Sequence, residues 1–345
     1  MKPLHAPLRA HWSSLAALAA LALTACDSSP ATPYAVGPSQ RSAPANLFPS
    51  VRNAVKQLRI DANSCCIIAV NSGLDQIYVS SGVNLSGNHT TVVDGKTLAV
   101  LATVKGFGGA NNADSLTHDV WLPGLYSGKV DVYSGRSLSS VAKVSLGYCP
   151  IGSWIDSKRR HAWVAAQCGG GSDPVWAIDA DTYKVIAGPV HTGGVMSPMT
   201  PVNPVTGRLY GSNSRKNFEI APKTFHLKRI SFGVVLNVDE ATNLLYARIT
   251  NGLNIVAGWS ERVTKAVALS YTPSYVGVNT ALNHIYVGSG QDFIEVREGN
   301  TGLLLGTIML NGAQIQSVGT RMRTHVYAAG VSGGYYYLYE MADTF

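Results

Sequence analysis

The polar and apolar positions of this chain recur in seven similar units. In most of them an apolar residue precedes Asn or Asp, and a short turn then leads to an aliphatic-aromatic pair, as in Val278-Asn279 and Ile285-Tyr286. The Asn or Asp side chain accepts a hydrogen bond from a backbone N–H two residues on and so begins a turn, whereas the aliphatic-aromatic pair suits a strand. The seven aromatic residues are Tyr78, Trp121, Trp163, Tyr210, Tyr246, Tyr286 and Tyr327.

The spacing of these aromatic residues indicates the fold. They lie 43, 42, 47, 36, 40 and 41 residues apart. Two further strand-like segments follow the aromatic residue, such as Val175–Ile178 and Lys184–Ala187 in the third unit. Four short strands in about 40–45 residues are typical of one blade of a β-propeller. The sequence therefore predicts an all-β fold, a seven-bladed β-propeller of four-stranded antiparallel blades over residues 51–345.

The two ends of the chain are predicted to close the ring. We name the strands of a blade A to D, from the centre of the ring outwards. The last unit supplies only three strands, near Gln316–Gly319, His325–Ala329 and Tyr335–Tyr339. The segment 55–60 precedes the first unit and resembles Leu304–Leu310, the D strand of the sixth unit. We predict that residues 55–60 complete blade 7 as its fourth strand, because this leaves no exposed edge where the ring begins and ends.

The repeat also resembles a known family. The stretch Val202-Asn203-Pro204-Val205-Thr206-Gly207-Arg208-Leu209-Tyr210 is similar to the YVTN-type β-propeller repeat, whose core reads V-N-P-x-T-x-x-[IV]-Y-V. Ala281–Val287 and Leu74–Val79 are similar to the same core, whereas units 2 and 3 have Trp for Tyr and lack Pro-x-Thr. The resemblance implies a propeller that is often exported, and it carries no shared catalytic residues.

The first residues read as an export signal. Lys2 and Arg9 precede the apolar segment Leu15–Leu23, and Leu23-Thr24-Ala25-Cys26 resembles the bacterial lipobox. We predict a lipoprotein signal peptide over 1–25, lipidation of Cys26, and a flexible Ser/Pro/Ala-rich tether over 26–50. The alternative is an ordinary cleaved signal with an incidental Cys. The predicted location is the exported bacterial cell envelope, anchored on the periplasmic side of the inner membrane or at the outer membrane.

Composition and charge exclude several classes of protein. Hydrophobic residues make up 46% of the chain and charged residues 14%, which excludes a disordered chain. The chain has 27 Lys and Arg and 20 Asp and Glu. Removal of the signal leaves a net charge of +5, since Lys2 and Arg9 are lost. No strip of aromatic and basic residues suggests nucleic acid, so none is predicted as a partner.

The remaining cysteines give two predictions. On the hairpin register set by Val202 and Leu209, Cys149 lies opposite Cys168, and opposed strand positions are close enough for a disulfide. We therefore predict a Cys149–Cys168 disulfide. The adjacent Cys65 and Cys66 form either a strained vicinal disulfide or two buried or free thiols, and both alternatives stay open.

Loops that join strand D to the next strand A, and strand B to strand C, share one face of a propeller, here called the top face. The A–B and C–D turns lie on the opposite, bottom face. The top face is often the binding face of propellers, so we expect a ligand site there, at the channel mouth. The candidate residues are Cys65, Cys66, His89, Asn111, Tyr148, His191, Tyr271 and Tyr275.

The sequence contains no recognised motif for catalysis, phosphate binding or metal binding, so no catalytic residue, metal site or cofactor is predicted. Two hypotheses follow. The first is a binding or scaffold propeller for an unknown protein, peptide or small ligand, attached to the membrane through its lipid. The second is a periplasmic propeller enzyme, such as a lactonase, a lyase or a quinoprotein-like subunit, with its active site at the channel mouth. We favour the first, because the predicted A-strand starts are poor in acids and bases.

The A–B turns hold basic residues at Lys158-Arg159-Arg160 and at Arg321 and Arg323. One interpretation is that these are solvated turn charges. The other is that the bottom face contacts anionic lipid headgroups near the anchor.

Overall fold

The structure is a computed structural model. It describes residues 56–60, 67–81, 89–106, 113–124, 127–147, 149–167, 173–194, 201–213, 215–310, 312–321 and 325–345. All of these belong to the second of the two units of the chain, Pro44–Phe345. The predicted signal peptide, Cys26 and the tether lie outside the described residues and stay predictions. Within the described ranges, no helix is long and apolar enough to cross a membrane.

The strands form seven antiparallel sheets, one per blade, which confirms the predicted seven-bladed β-propeller. The first strand, β1 (Lys56–Ile60), belongs to blade 7. Blades 1 to 3 comprise β2 (Ile67–Asn71), β3 (Gln76–Ser81), β4 (His89–Asp94) and β5 (Val100–Lys105); β6 (Asp119–Gly124), β7 (Lys129–Ser134) and β8 (Ser140–Ser145); and β9 (Pro150–Asp156), β10 (His161–Ala166), β11 (Pro174–Asp179) and β12 (Val185–His191).

The other four blades follow in chain order. They comprise β13 (Leu209–Ser212), β14 (Asn217–Ile220) and β15 (Leu227–Ile230); β16 (Val234–Asp239), β17 (Leu244–Ile249), β18 (Gly252–Ala257) and β19 (Arg262–Ala268); β20 (Tyr275–Asn279), β21 (His284–Gly288), β22 (Phe293–Glu298) and β23 (Leu304–Met309); and β24 (Gln314–Arg321), β25 (His325–Ser332) and β26 (Tyr335–Ala342) with β1. In blades 2 and 4 the innermost strand is reduced to a single bridge, Ala113 with Val120 and Val202 with Leu209.

The N-terminal strand closes the ring as predicted. β1 pairs antiparallel with β26, from Lys56 opposite Glu340 to Ile60 opposite Tyr336. Ile60 is buried in one apolar cluster with Ile68 of blade 1 and Leu338 of blade 7. Strand pairing thus joins the two ends of the described chain within blade 7, and apolar packing then joins that blade to blade 1.

The seven repeated aromatic residues form the seams between blades. Their side chains are 0–1% exposed, and those with a described contact across a seam reach the C–D turn of the following blade. The Tyr327 hydroxyl donates to the carbonyl of Gly95 at 2.6 Å, and the Trp163 ring lies 5.7 Å from the ring of Phe225. The sequence pattern therefore marks the residues that hold neighbouring blades together, and the Tyr327 contact spans the closure between blades 7 and 1.

The predicted turn chemistry is also observed. The Oδ1 atoms of Asp114, Asn203 and Asp239 accept the backbone N–H two residues on, at 2.9, 2.9 and 3.0 Å. In blades 1, 2, 3, 5 and 6 the C–D turn is then tied to the A–B turn of its own blade, as in the 2.7 Å bond from the Gly299 N–H to the Asn283 carbonyl. The bottom face consequently consists of short, hydrogen-bonded turns that recur from blade to blade.

Candidate functional site

The two faces of the propeller differ in the regularity of their connections. On the bottom face the C–D turns are uniform, for example 95–99, 135–139 and 299–303. On the top face the B–C connections vary, from 82–88 in blade 1 and 167–173 in blade 3 to 250–251 in blade 5. Loops on a rigid repeating scaffold tolerate such variation and commonly carry binding residues. The top face therefore remains the candidate site.

Four of the predicted top-face residues are described, and they occupy two environments. His89 begins β4 and is half-buried, while His191 ends β12 and is exposed. Tyr271 and Tyr275 belong instead to the seam between blades, and are 7% and 4% exposed. Cys65, Cys66, Asn111 and Tyr148 lie outside the described residues, so the grouping of all eight at one channel mouth stays a prediction.

The two tyrosines present little surface to a ligand. The Tyr271 hydroxyl donates to the carbonyl of Val287 at 3.3 Å, and its ring packs edge-on against Phe293 at 5.6 Å. Burial raises the pKa of Tyr275 well above its usual range, and its hydroxyl has no hydrogen-bond partner within the described part of the chain. Gly288 makes room for that hydroxyl, since a Cβ there would lie 2.1 Å from it.

The register near Cys149 differs by one residue from the prediction. From His161 to Ala165, β10 pairs with β9 as expected, but Ala166 then pairs with Pro150, so Ile151 is an extra residue on β9. After this bulge the Gln167 N–H donates to the Cys149 carbonyl at 2.9 Å. Gln167 is therefore opposite Cys149, and Cys168 is the next residue along the chain. Cys168 lies outside the described residues, so the disulfide stays a prediction.

A cluster of charged groups, absent from the sequence-based candidates, lies between blades 4 and 5. The Lys228 ammonium is 3.2 Å from a Glu219 oxygen and 2.7 Å from a Glu261 oxygen. The Arg208 guanidinium is 2.8 Å from Glu261 and 3.4 Å from Glu219. Glu219 belongs to the C strand of blade 4, whereas Glu261 belongs to the C–D turn of blade 5. The cluster therefore joins two blades through opposite charges.

The two carboxyl groups of this cluster titrate differently. Burial, and then the adjacent Glu261 carboxylate, raise the pKa of Glu219 to about 7. Burial opposes ionisation of Glu261, but hydrogen bonds from Glu219 and Lys228 outweigh it and lower the Glu261 pKa. Two neighbouring carboxyls that share a proton behave in this way. A repeat comparison could have singled out Glu261, because the equivalent turn positions hold the uncharged residues Leu98, Leu138, Tyr183, Phe225 and Gly302.

A second buried carboxylate lies between blades 6 and 7. Asp343 accepts hydrogen bonds from the Tyr286 hydroxyl and, at 2.8 Å, from Nδ1 of His284. The Asp343 side chain is fully buried, and burial together with Asp343 raises the pKa of Tyr286 well above its usual range. A Tyr-His-Asp set resembles acid-base machinery, but here it joins two blades beneath the bottom-face turns. It therefore acts as a structural contact.

The basic residues of the bottom face are only partly available to a partner. Arg159 is 3.1 Å from Asp156 and also donates to the Pro204 carbonyl at 3.0 Å. Arg160 is 2.6 Å from Asp114 and 2.9 Å from Asp181. Arg159 thus ties the A–B turn of blade 3 to that of blade 4, and Arg160 ties it to that of blade 2. Lys158 alone of the three is an exposed cation without an ion pair to any described residue. The Arg321 side chain and Arg323 lie outside the described residues.

No protein-family model and no curated protein matches the chain. The likeness to the YVTN-type repeat therefore rests on the motifs quoted above. Among the described residues, no group of three or more His, Cys, Asp or Glu side chains is placed to hold a metal ion.

Proposed function

We propose that this chain is a lipid-anchored binding propeller of the bacterial cell envelope, which holds a protein, peptide or small ligand on its top face. The observation that carries this proposal is the difference between the two faces. On the bottom face, the C–D turns of blades 1 to 6 all close with the same backbone hydrogen bond, whereas the top-face B–C connections differ in length from blade to blade. Variation confined to one face of a repeat scaffold is typical of a binding surface.

The positions of the acidic and basic side chains at the seams between blades support binding rather than catalysis. Glu219, Glu261 and Lys228 connect blades 4 and 5, and Asp343, His284 and Tyr286 connect blades 6 and 7. These groups stabilise the seams and do not line a described opening.

The anchor is tested by lipid labelling. The full chain, expressed in a Gram-negative host with radiolabelled palmitate, should carry label and partition into detergent. The Cys26→Ser variant should carry none. An unlabelled wild-type protein would refute the lipoprotein assignment.

The binding face is tested by photo-crosslinking in cells. A benzoylphenylalanine at Arg215, in an exposed top-face loop, should give discrete adducts, and the same probe at Lys223 on the bottom face should not. Native mass spectrometry of the purified protein detects a small ligand as a fixed mass increment. Adducts at neither position and no increment would refute a top-face ligand. A stoichiometric metal or redox cofactor would favour the enzyme alternative.

A further inference from the structure

The bottom face carries exposed cations and apolar side chains at repeated positions. When Asp94 and its equivalent in each blade are counted as the first residue of the C–D turn, the third residue is the tip of the turn. In blades 1, 2, 4 and 5 it is Lys96, Arg136, Lys223 and Trp259. Lys96 is 3.1 Å from Asp75. Arg136 and Lys223 are exposed and have no ion pair to any described residue. Because the blades repeat around one axis, these tips lie at a similar height on the same face.

Apolar side chains stand among these cations. Trp259 is 67% exposed, and Leu116, in the A–B turn of blade 2, is 64% exposed. Lys158 occupies the position of Leu116 in the A–B turn of blade 3. Among the described residues of this face, Glu240 and Asp181 are exposed carboxylates, and Asp181 is paired with Arg160. Asp94, Asp179 and Glu298 are half-buried and accept hydrogen bonds within their own turns. Exposed Trp and Leu among unpaired Lys and Arg are typical of surfaces that lie on anionic bilayers.

The chain enters the propeller at this same face. β1 begins at Lys56, which pairs with Glu340 near the end of β26, two residues before the C–D turn position of blade 7. The predicted tether therefore joins the ring beside the bottom-face turns. A flexible chain of the length of 26–55 has an end-to-end distance of roughly 30 Å. That distance keeps the face that it joins close to the bilayer that holds Cys26.

We propose that the bottom face docks on an anionic phospholipid bilayer, with Arg136, Lys158 and Lys223 against the headgroups and Trp259 at the interface. This inference rests on the proposed lipid anchor for its geometry. Docking by the bottom face would direct the top face away from the membrane, towards soluble ligands or ligands on the side of the peptidoglycan. Each basic residue near such a surface strengthens binding roughly fivefold, so three give a combined effect of roughly 100-fold.

The experiment uses the full-length protein reconstituted in vesicles of phosphatidylcholine with or without phosphatidylglycerol, containing brominated lipids. Bromine quenches a tryptophan that enters the interface. The Trp259 contribution is the wild-type fluorescence minus that of Trp259→Phe. We expect quenching of this contribution in anionic vesicles, and a loss of more than half of it in pure phosphatidylcholine and in R136Q/K158Q/K223Q.

The matched control is K105Q/K129Q/R215Q, which removes the same charge from exposed positions at the top ends of strands and loops. It should retain the quenching. A lipidated protein whose Trp259 contribution is unquenched in anionic vesicles, or whose quenching is equal in both triple variants, would overturn the docking face and leave the anchor intact.

If the mass of the purified protein shows no lipid, the proposed anchor fails and the docking face is tested by co-sedimentation with the same vesicles. Binding to anionic vesicles that falls roughly 100-fold in R136Q/K158Q/K223Q, and not in the control, supports the docking face. Absence of such binding overturns it.

Discussion

At the scale of single residues, Asp343 differs from the residues at the equivalent turn position of the other six blades. The second residue of the C–D turn is Gly95, Gly135, Ala180, Pro222, Gly258 or Gly299 in the first six blades and Asp343 in the seventh. Those residues have small or apolar side chains, whereas Asp343 extends a carboxylate to Tyr286 and His284. The seam between blades 6 and 7 therefore holds a buried carboxylate in addition to its apolar packing.

We expect Asp343→Ala to lower the free energy of unfolding by roughly 2–3 kcal/mol, because a buried hydroxyl and an imidazole lose a charged partner. Asp343→Asn should cost less, since its amide oxygen still accepts a hydrogen bond. Urea unfolding at pH 7 measures both. The control is Asp181→Ala, where an exposed carboxylate should contribute under about 1 kcal/mol. Equal effects of D343A and D181A would refute a structural role for the buried site.

The Glu219–Glu261 pair predicts a dependence of stability on pH. Because the folded pKa of Glu219 is raised from 4.5 to about 7, the folded state binds this proton more tightly than the unfolded state. The contribution of Glu219 to stability is therefore fully present below pH 4.5 and is lost as the pH rises through about 7.

Glu219→Gln removes this titration and keeps a hydrogen-bond donor toward Glu261. Between pH 4.5 and pH 8 the wild type should lose stability relative to E219Q, by on the order of 1–2 kcal/mol. Urea midpoints at several pH values measure the difference. Glu298→Gln is the control of opposite sign, because hydrogen bonds from Thr301 and Asn283 outweigh burial and lower the Glu298 pKa. The contribution of Glu298 to stability is therefore present above pH 4.5 and is lost as the pH falls below it, so this control is measured below pH 4.5. A difference between wild type and E219Q that does not vary with pH would contradict the shared proton.

At the scale of elements, the sequence predicts where strands and turns lie better than it predicts which residues of other blades they contact. The aromatic residues and the Asn/Asp turns are visible because each performs the same local task in nearly every blade. The pairing of Glu219 with Glu261, and of Asp343 with Tyr286 and His284, is not visible, because in each case the partner lies in another blade and is met only in the folded ring. The bulge at Ile151 likewise follows from strand packing rather than from any residue type, so a register extrapolated from blade 4 was wrong by one position beyond it.

The predicted Cys149–Cys168 disulfide can be tested chemically, although the bulge shifts the register beside Cys149 by one residue. The Gln167–Cys149 hydrogen bond brings the chain beside Cys149 one residue before Cys168. We expect non-reducing peptide mapping to recover a Cys149–Cys168 peptide, and Cys168→Ser to destabilise the protein by about 3 kcal/mol. Recovery of Cys149 bonded to Cys65 or Cys66 would contradict the pairing. The same map decides between a vicinal bond and thiols at Cys65-Cys66.

At the scale of the whole molecule, the closure strand is the feature that a pattern search could miss most easily, since β1 lies far from its blade in sequence. It was predicted because the last unit lacked a fourth strand and 55–60 resembled one. The top-face site is predicted only by analogy with other propellers, and such an analogy identifies a face of the ring but not the side chains that line it. Tyr271 and Tyr275 illustrate this, because they were chosen for their position and are in fact seam residues.

Closure of the ring by β1 can be measured against an equivalent strand. Ile60 and Leu310 both lie at the end of a D strand or just past it, and they are 4% and 5% exposed. A β1 that is held as firmly as a strand inside a continuous blade should unfold together with the ring. Ile60→Ala and Leu310→Ala should then each lower the free energy of unfolding by about 3 kcal/mol and lower the midpoint of a single cooperative transition. Thermal and urea unfolding measure both, with the exposed Lys56→Ala as a control. A lowered midpoint for L310A beside an unchanged one for I60A would mean that β1 detaches before the ring unfolds, and that the seam between blades 7 and 1 holds without it.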